Sequence, residues 1–205
     1  MELLNFKQFI EEEKRGTLHV VDIDDTLFHT TARVRVRNAK NKIIRYLSTS
    51  EYNNYKLKPG QKYDFKEFKN AKKFRNESKP ITPMINKMKK MHKNPNSKVI
   101  INTARSDFDN KHEFLNTFRD QGVDIDKIHV HRTGNDPSRD STEEKKVKVI
   151  RTYIDKHDHK KVVMYDDSKT NLKALLNMKR EYPNVKFIAF HVKPDGSMSR
   201  YNGDK

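Results

Sequence analysis

Apolar residues in this chain fall into short runs that end on polar side chains. Four runs stand out: Val20-Val21, Val99-Ile100-Ile101, Val162-Val163-Met164 and Phe187-Ile188-Ala189-Phe190. Short β-branched runs bounded by turn residues predict buried strands. The predicted strands are Thr17 to Ile23, Lys98 to Asn102, Ile128 to His131, Lys161 to Tyr165 and Val185 to His191. Between them the apolar spacing lengthens to a helical period. Met84, Ile85, Met88 and Met91 mark a helix with proline in its first turn. Phe114, Leu115 and Phe118 mark another, over about 111–121, stopped by Gly122. Ser141-Thr142-Glu143-Glu144 opens a third, with Val147, Ile150, Tyr153 and Ile154 on its apolar face. Ser168 is the predicted cap of a fourth, through Leu172, Leu175, Leu176 and Met178. Strands alternating with helices after residue 80 predict a parallel sheet with right-handed crossovers.

Three segments depart from this alternation. Leu3, Leu4, Phe6, Phe9 and Ile10, followed by three glutamates, predict a short helix over about 2–14. Residues 28–79 read as an insertion of mixed structure. In it, Arg33 to Arg37 and Ile43 to Leu47 are strand candidates, Pro59-Gly60 is a turn, and Tyr63 to Phe74 suggests a short amphipathic helix. The tail from Lys193, with Gly196, Ser197 and Gly203, is expected to be loose. The predicted organisation is a core domain of residues 1–27 and 80–205, with a cap insertion of residues 28–79.

Ligands of open parallel sheets bind beyond the strand C-terminal ends. The polar strand ends here are Asp22 and Asp24, Thr103 and Arg105, Arg132, and Asp166 and Asp167. Strand periodicity places Asp22 and Asp24 on one side. Carboxylates this close need a cation, a shared proton or wide solvation, and Mg2+ with oxygen ligands answers that need. The plain alternative is an Asx-type turn in which Asp24 and Asp25 cap a helix. Convergence of four polar strand ends on one edge favours a site. Such a set suits phosphoryl transfer. An aspartate can take up a phosphoryl group as an acyl phosphate, while cations screen the repulsion between phosphate and carboxylates. A second carboxylate can protonate the leaving oxygen and later deprotonate water.

Composition narrows the classes. The chain has 205 residues, 33% hydrophobic and 35% charged, with no cysteine. Disulfides, thiolate metal sites and cysteine nucleophiles are therefore excluded. No run of about 18 apolar residues exists and no signal peptide is visible, so a cytoplasmic protein is expected. The formal net charge of +16 favours phosphorylated or polyanionic partners, nucleic acid among them. Tyr52, Tyr55, Tyr63, Phe65 and Phe68, interleaved with lysines, can stack bases or form the insertion's own small core. Oligomeric state is not legible.

These residues resemble the haloacid dehalogenase (HAD) superfamily of phosphohydrolases. Asp22-Ile23-Asp24-Asp25-Thr26 matches its first motif, with Asp25 where glycine is common. Thr103 matches the second motif, a lysine before the fourth strand the third, and Asp166-Asp167 the fourth, acidic one. The resemblance implies a HAD-like (Rossmannoid) five-stranded parallel sheet with a cap after the first strand. It implies Asp22 as nucleophile, Asp24 as acid/base, and Mg2+ held by Asp22, the Asp24 carbonyl and Asp166 or Asp167. The catalytic lysine lies among Lys145, Lys146 and Lys148; Lys146 best fits the spacing of Val149, Ile150 and Ile154. Thr103-Ala104-Arg105 and His131-Arg132 are most similar to the 3′-phosphatase domain of phage-type polynucleotide kinase. That similarity makes Arg105 and Arg132 substrate-binding candidates, the alternative for each being a salt bridge to the acidic cluster. It also suggests a nucleotide or nucleic acid end as substrate, and host cytoplasm if the source is viral. The alternatives are a small-nucleotide or sugar-phosphate phosphatase, and a nucleic-acid-binding protein on an inactive scaffold.

Overall fold

The computed structural model describes residues 16–203; the helix expected over about 2–14 lies outside them. The strands are β1 (Thr17–Val21), β2 (Phe28–His29), β3 (Val34–Arg37), β4 (Ile43–Leu47), β5 (Lys62–Asp64), β6 (Lys79–Pro80), β7 (Ser97–Thr103), β8 (His129–Arg132), β9 (Lys161–Asp166), β10 (Lys186–Val192) and β11 (Met198–Tyr201). The helices are α1 (Thr49–Asn54), α2 (Ala71–Glu77), α3 (Thr82–His92), α4 (Lys111–Arg119), α5 (Thr142–His157) and α6 (Lys169–Asn177).

The main sheet runs β11-β10-β9-β1-β7-β8. Five strands are parallel, and β11 closes the edge antiparallel to β10. The expected five-stranded sheet is therefore six-stranded, and the expected loose tail is largely a strand. Gly196, at φ +80°, supplies the left-handed turn that returns the chain onto β10.

The strand period sorts the core into two layers. Val21, Val99, Ile101, Val163 and Tyr165 pack with α3 and α4 through Met84, Ile85, Met88, Phe114 and Phe118. Leu18, Val20, Ile100, Val162 and Met164 pack with α5 and α6 through Ile150, Ile154, Leu172 and Leu175. Helices on both faces account for strands that are apolar on both sides.

The insertion leaves and returns through the antiparallel pair β2–β6. It carries its own sheet, β4-β3-β5. Val34, Val36 and Leu47 pack there with Tyr52, Tyr55, Tyr63 and Phe68. The helix expected over Tyr63 to Phe74 is instead β5, a 3-10 turn over Lys66–Lys69, and α2. Asn70 breaks the run because its side chain accepts from the Lys73 N–H and starts α2 as a cap. Phe74 and Ala71 of α2 join the main core rather than the insertion's own. No helix of the described residues is long and apolar enough to cross a membrane.

Candidate active site

Register sets the site. Val21 on β1 stands level with Ile101 on β7 and Tyr165 on β9. One residue further, Asp22, Asn102 and Asp166 come level on the face covered by α5. Lys146 enters from the first turns of α5, where Ser141 and Glu144 form a capping box. Asn102 Nδ2 donates to the Lys146 carbonyl at 3.0 Å and fixes that turn.

Lys146 is 1% exposed. Its Nζ donates to Asp22 Oδ1 at 2.7 Å and Asp166 Oδ2 at 2.8 Å. The other two lysine candidates go elsewhere: Lys145 donates to the Asp136 carbonyl, and Lys148 pairs with Asp140 and Asp136. Asp166 is also held by the Ser168 N–H at 2.9 Å and by Asn171 Nδ2 at 2.9 and 3.1 Å. Ser168 begins α6 without the expected side-chain cap, and its backbone N–H serves Asp166. Asp167 takes no side-chain donor among the described residues, while its carbonyl accepts from His191 Nε2 at 2.9 Å.

Carboxylate oxygens of Asp22, Asp166 and Asp167 lie within 4.8 Å of one another. Burial pushes Asp22 up to about 7 against the pull of Lys146, with Asp166 and Asp24 adding to the rise. Burial, then Asp166 and Asp22, push Asp167 up to about 9. Burial alone would depress Lys146, but Asp166 and Asp22 hold it above the ordinary lysine range. One lysine thus faces three crowded carboxylates, one of them without a donor. That excess of acceptors fits a hard divalent cation.

Asp24 lies past the end of β1 and turns to Arg105. Arg105 Nε and Nη2 donate to its two oxygens at 2.8 and 2.6 Å. Arg105 also reaches Phe68 O at 2.8 Å and Thr30 Oγ1 at 2.9 Å, both in the insertion. Its guanidinium lies 4.7–5.1 Å from the ring centroids of Phe68, Phe74 and Phe108. The side chain is 1% exposed. Arg105 is therefore not open to a substrate as expected. Four of its five guanidinium N–H groups are bonded, and it clamps Asp24 and ties the insertion to the core.

Arg132 pairs with Asp107 at 2.6 Å and stays partly exposed over the Phe114 ring. Thr103 is fully buried; its hydroxyl accepts the Arg105 N–H at 3.3 Å, and its carbonyl accepts from Thr133. Asp25 is the turn residue, at φ +55°. Its carboxylate accepts from the Thr49 hydroxyl and lies 3.5 Å from His29 Nδ1. Asn102, Ser168 and Asn171 were absent from the sequence candidates. Asn102 alone left a signal, as an amide ending an apolar run.

Gly134 holds the Arg105 loop close. Its N–H donates to Arg105 O at 3.1 Å, and an added Cβ would come within 2.5 Å of Ala104 O and 2.6 Å of Ser106 N. Both are backbone atoms that cannot swing aside. Gly134→Ala is expected to lower stability by about 3 kcal/mol, read as a fall in urea midpoint; a variant as stable as the wild type contradicts this packing.

No protein-family model matches the chain, and no curated protein matches it by sequence. Among solved structures, the HAD domain of effector protein Lem4 from Legionella pneumophila is similar, with a TM-score of 0.54. The match covers 88% of each chain at 15% identity. The fold is HAD-like. The acidic triad lies at the C-terminal ends of the parallel strands of this HAD-like sheet, where α/β folds bind ligands.

Proposed function

We propose that the protein is a Mg2+-dependent phosphomonoesterase working through an aspartyl-phosphate on Asp22. The observation that carries this reading is Lys146 between Asp22 and Asp166, with Asp167 beside them lacking a donor. Asp22, Asp166, Asp167 and the Asp24 carbonyl would hold the metal, which when bound supplies charge neutralisation between phosphate and carboxylates.

Lys146 fixes Asp22 Oδ1 and leaves Oδ2 for attack. The new Asp22 O–P bond forms as the ester P–O bond breaks, and Asp24 gives its proton to the leaving oxygen. Asp24, again a carboxylate, then takes a proton from water. The water oxygen bonds to phosphorus, the Asp22 O–P bond breaks, and inorganic phosphate leaves. Arg105 donates to both Asp24 oxygens, so proton donation to the leaving oxygen in the first half requires that grip to loosen. Thr103 and Arg132 end β7 and β8, and in this reading they would meet the phosphate.

The charge of the chain supports a nucleotide or a nucleic acid end as substrate, in the manner of a polynucleotide 3′-phosphatase. A panel of phosphorylated substrates with Mg2+ tests this, with p-nitrophenyl phosphate beside 3′- and 5′-phosphorylated oligonucleotides. Hydrolysis stopped by EDTA, and fastest on a phosphorylated nucleotide or oligonucleotide end, is expected. Failure on every member overturns the phosphatase reading.

Metal and protons should compete. Asp22 and Asp167 are raised above their unfolded value of 3.8. Without metal, the folded state then holds more protons than the unfolded one, so these groups make stability fall as pH rises from about 4 to about 9. Metal binding needs the deprotonated forms and stabilises only the fold. Mg2+ should therefore raise the melting temperature more at about pH 8 than at about pH 6. An equal rise at both would contradict the site.

A further inference from the structure

Exposed apolar surface is unevenly spread over this chain. Among the described residues, the exposed large hydrophobic side chains are Ile44, Tyr46, Leu57 and Phe65. All lie in the insertion. The same segment, 28–79, holds fifteen Lys or Arg against four Asp or Glu, so a net +11 of the chain's +16 sits there.

The small sheet brings the two features together. Its inner face packs on Val34, Val36 and Leu47. On the outer face Arg35 stands opposite Tyr46 and Asp64, and Arg37 opposite Lys62; directly opposed residues share a face. Tyr46 is 47% exposed, and Ile44, the extra residue where the β3–β4 register shifts, is 48% exposed. Arg35 and Arg37 are held by Glu67 and Asp64. Lys42 and Lys62 are exposed and make no ion pair among the described residues. An aromatic and an aliphatic side chain therefore sit in an uncompensated positive field.

We infer that this outer face is a docking surface for single-stranded nucleic acid, with a base stacked on Tyr46 and phosphates met by Lys62 on that face and by Lys42 in the β3–β4 turn beside it. Charge selects the occupant. A second copy would bring another +11 to the same place and be repelled. A polyanion is attracted, and one with flat apolar rings also covers Tyr46 and Ile44. A duplex keeps its base faces stacked inside, so the single strand fits. The direction also suits the site. Three residues beyond Tyr46, the Thr49 hydroxyl donates to Asp25, the neighbour of Asp24. At about 3.3 Å per residue, Tyr46 lies within roughly 10 Å of Thr49 along the chain. A strand lying along β4 brings its end toward Asp22. This deepens, and for its bearing on turnover rests on, the reading of the substrate as a nucleic acid end; the docking itself stands on the surface alone.

Fluorescence anisotropy of the full chain with a labelled single-stranded oligonucleotide, lacking any terminal phosphate and held in EDTA, tests the docking without turnover. The expected result is binding whose log affinity falls linearly with log salt. Tyr46→Ala should weaken it roughly tenfold. Lys42→Glu combined with Lys62→Glu should flatten the salt slope, while Lys179→Glu, exposed on the α/β core, stays close to wild type. Tyr46→Ala binding like wild type overturns the inference, as does Lys179→Glu weakening binding as much as the insertion variants. Equal affinity for the duplex overturns it too, as does capture by phosphatidylserine vesicles through Tyr46 with no oligonucleotide bound. Loss of p-nitrophenyl phosphate hydrolysis alone would sink the phosphatase reading and leave this surface intact.

Discussion

Asp22→Asn is expected to lower phosphatase turnover by about 10^4-fold or more, the scale seen when a nucleophile is removed. The same change should leave the metal-free fold as stable as wild type, or more so. Burial pushes the Asp22 carboxyl up to about 7, so its charged form is disfavoured where it stands. An amide of the same shape removes that charge while its oxygen still accepts from Lys146 at the position of Oδ1. The two readouts separate chemistry from folding. Turnover measured with p-nitrophenyl phosphate should collapse while the thermal midpoint in EDTA holds. Stabilisation by Mg2+ should shrink as well, because one of its carboxylates is gone. Turnover unchanged by the substitution would remove Asp22 from the reaction.

Lys146→Met should act on the fold. Methionine fills much of the same space without the charge. It leaves Asp22 and Asp166 facing each other, both buried, with no ammonium between them. Removing one partner of a buried ion pair costs about 3–5 kcal/mol, because an uncompensated charge stays behind. The loss should be larger at about pH 8 than at about pH 5, since protonation relieves the repulsion at the lower pH. Urea midpoints at the two pH values measure it. A loss below about 1 kcal/mol at both would mean that Lys146 is not the counter-charge of the cluster.

The strand ends were legible because apolar runs stop abruptly before Asp22, Thr103 and Asp166; Asn102, which shares the face of Asp22, was passed over. The sequence left Lys145, Lys146 and Lys148 open and favoured Lys146 only by the apolar spacing of α5; its burial between Asp22 and Asp166 is seen in the structure alone. The role of Arg105 was not legible. Its partners Asp24, Thr30 and Phe68 are distant in sequence, and no local pattern states that a guanidinium will be enclosed by Phe68, Phe74 and Phe108. The supports Asn171 and Ser168 were hidden for a similar reason, since their value depends on where Asp166 places its oxygens. In the insertion, the aromatic spacing of Tyr63 to Phe74 resembled a helix, but Asp64 and Asn70 each engage backbone N–H groups and divide the segment. β11 was missed because Met198 to Tyr201 is only four residues long and its middle two, Ser199 and Arg200, are exposed; its pairing with β10 is set by the turn at Gly196.

The most direct measurement is peptide mapping of acid-quenched Asp24→Asn protein after incubation with Mg2+ and p-nitrophenyl phosphate, whose leaving group departs without the proton that Asp24 would give. This variant keeps the Asp22 carboxylate but loses the group that activates water, so the phosphoryl group should stay where it lands. The account predicts one added phoshoryl mass on the peptide carrying Asp22, absent when Asp22→Asn is added. Substrate consumed with that peptide unmodified, or with the phosphoryl group on another residue, would contradict it.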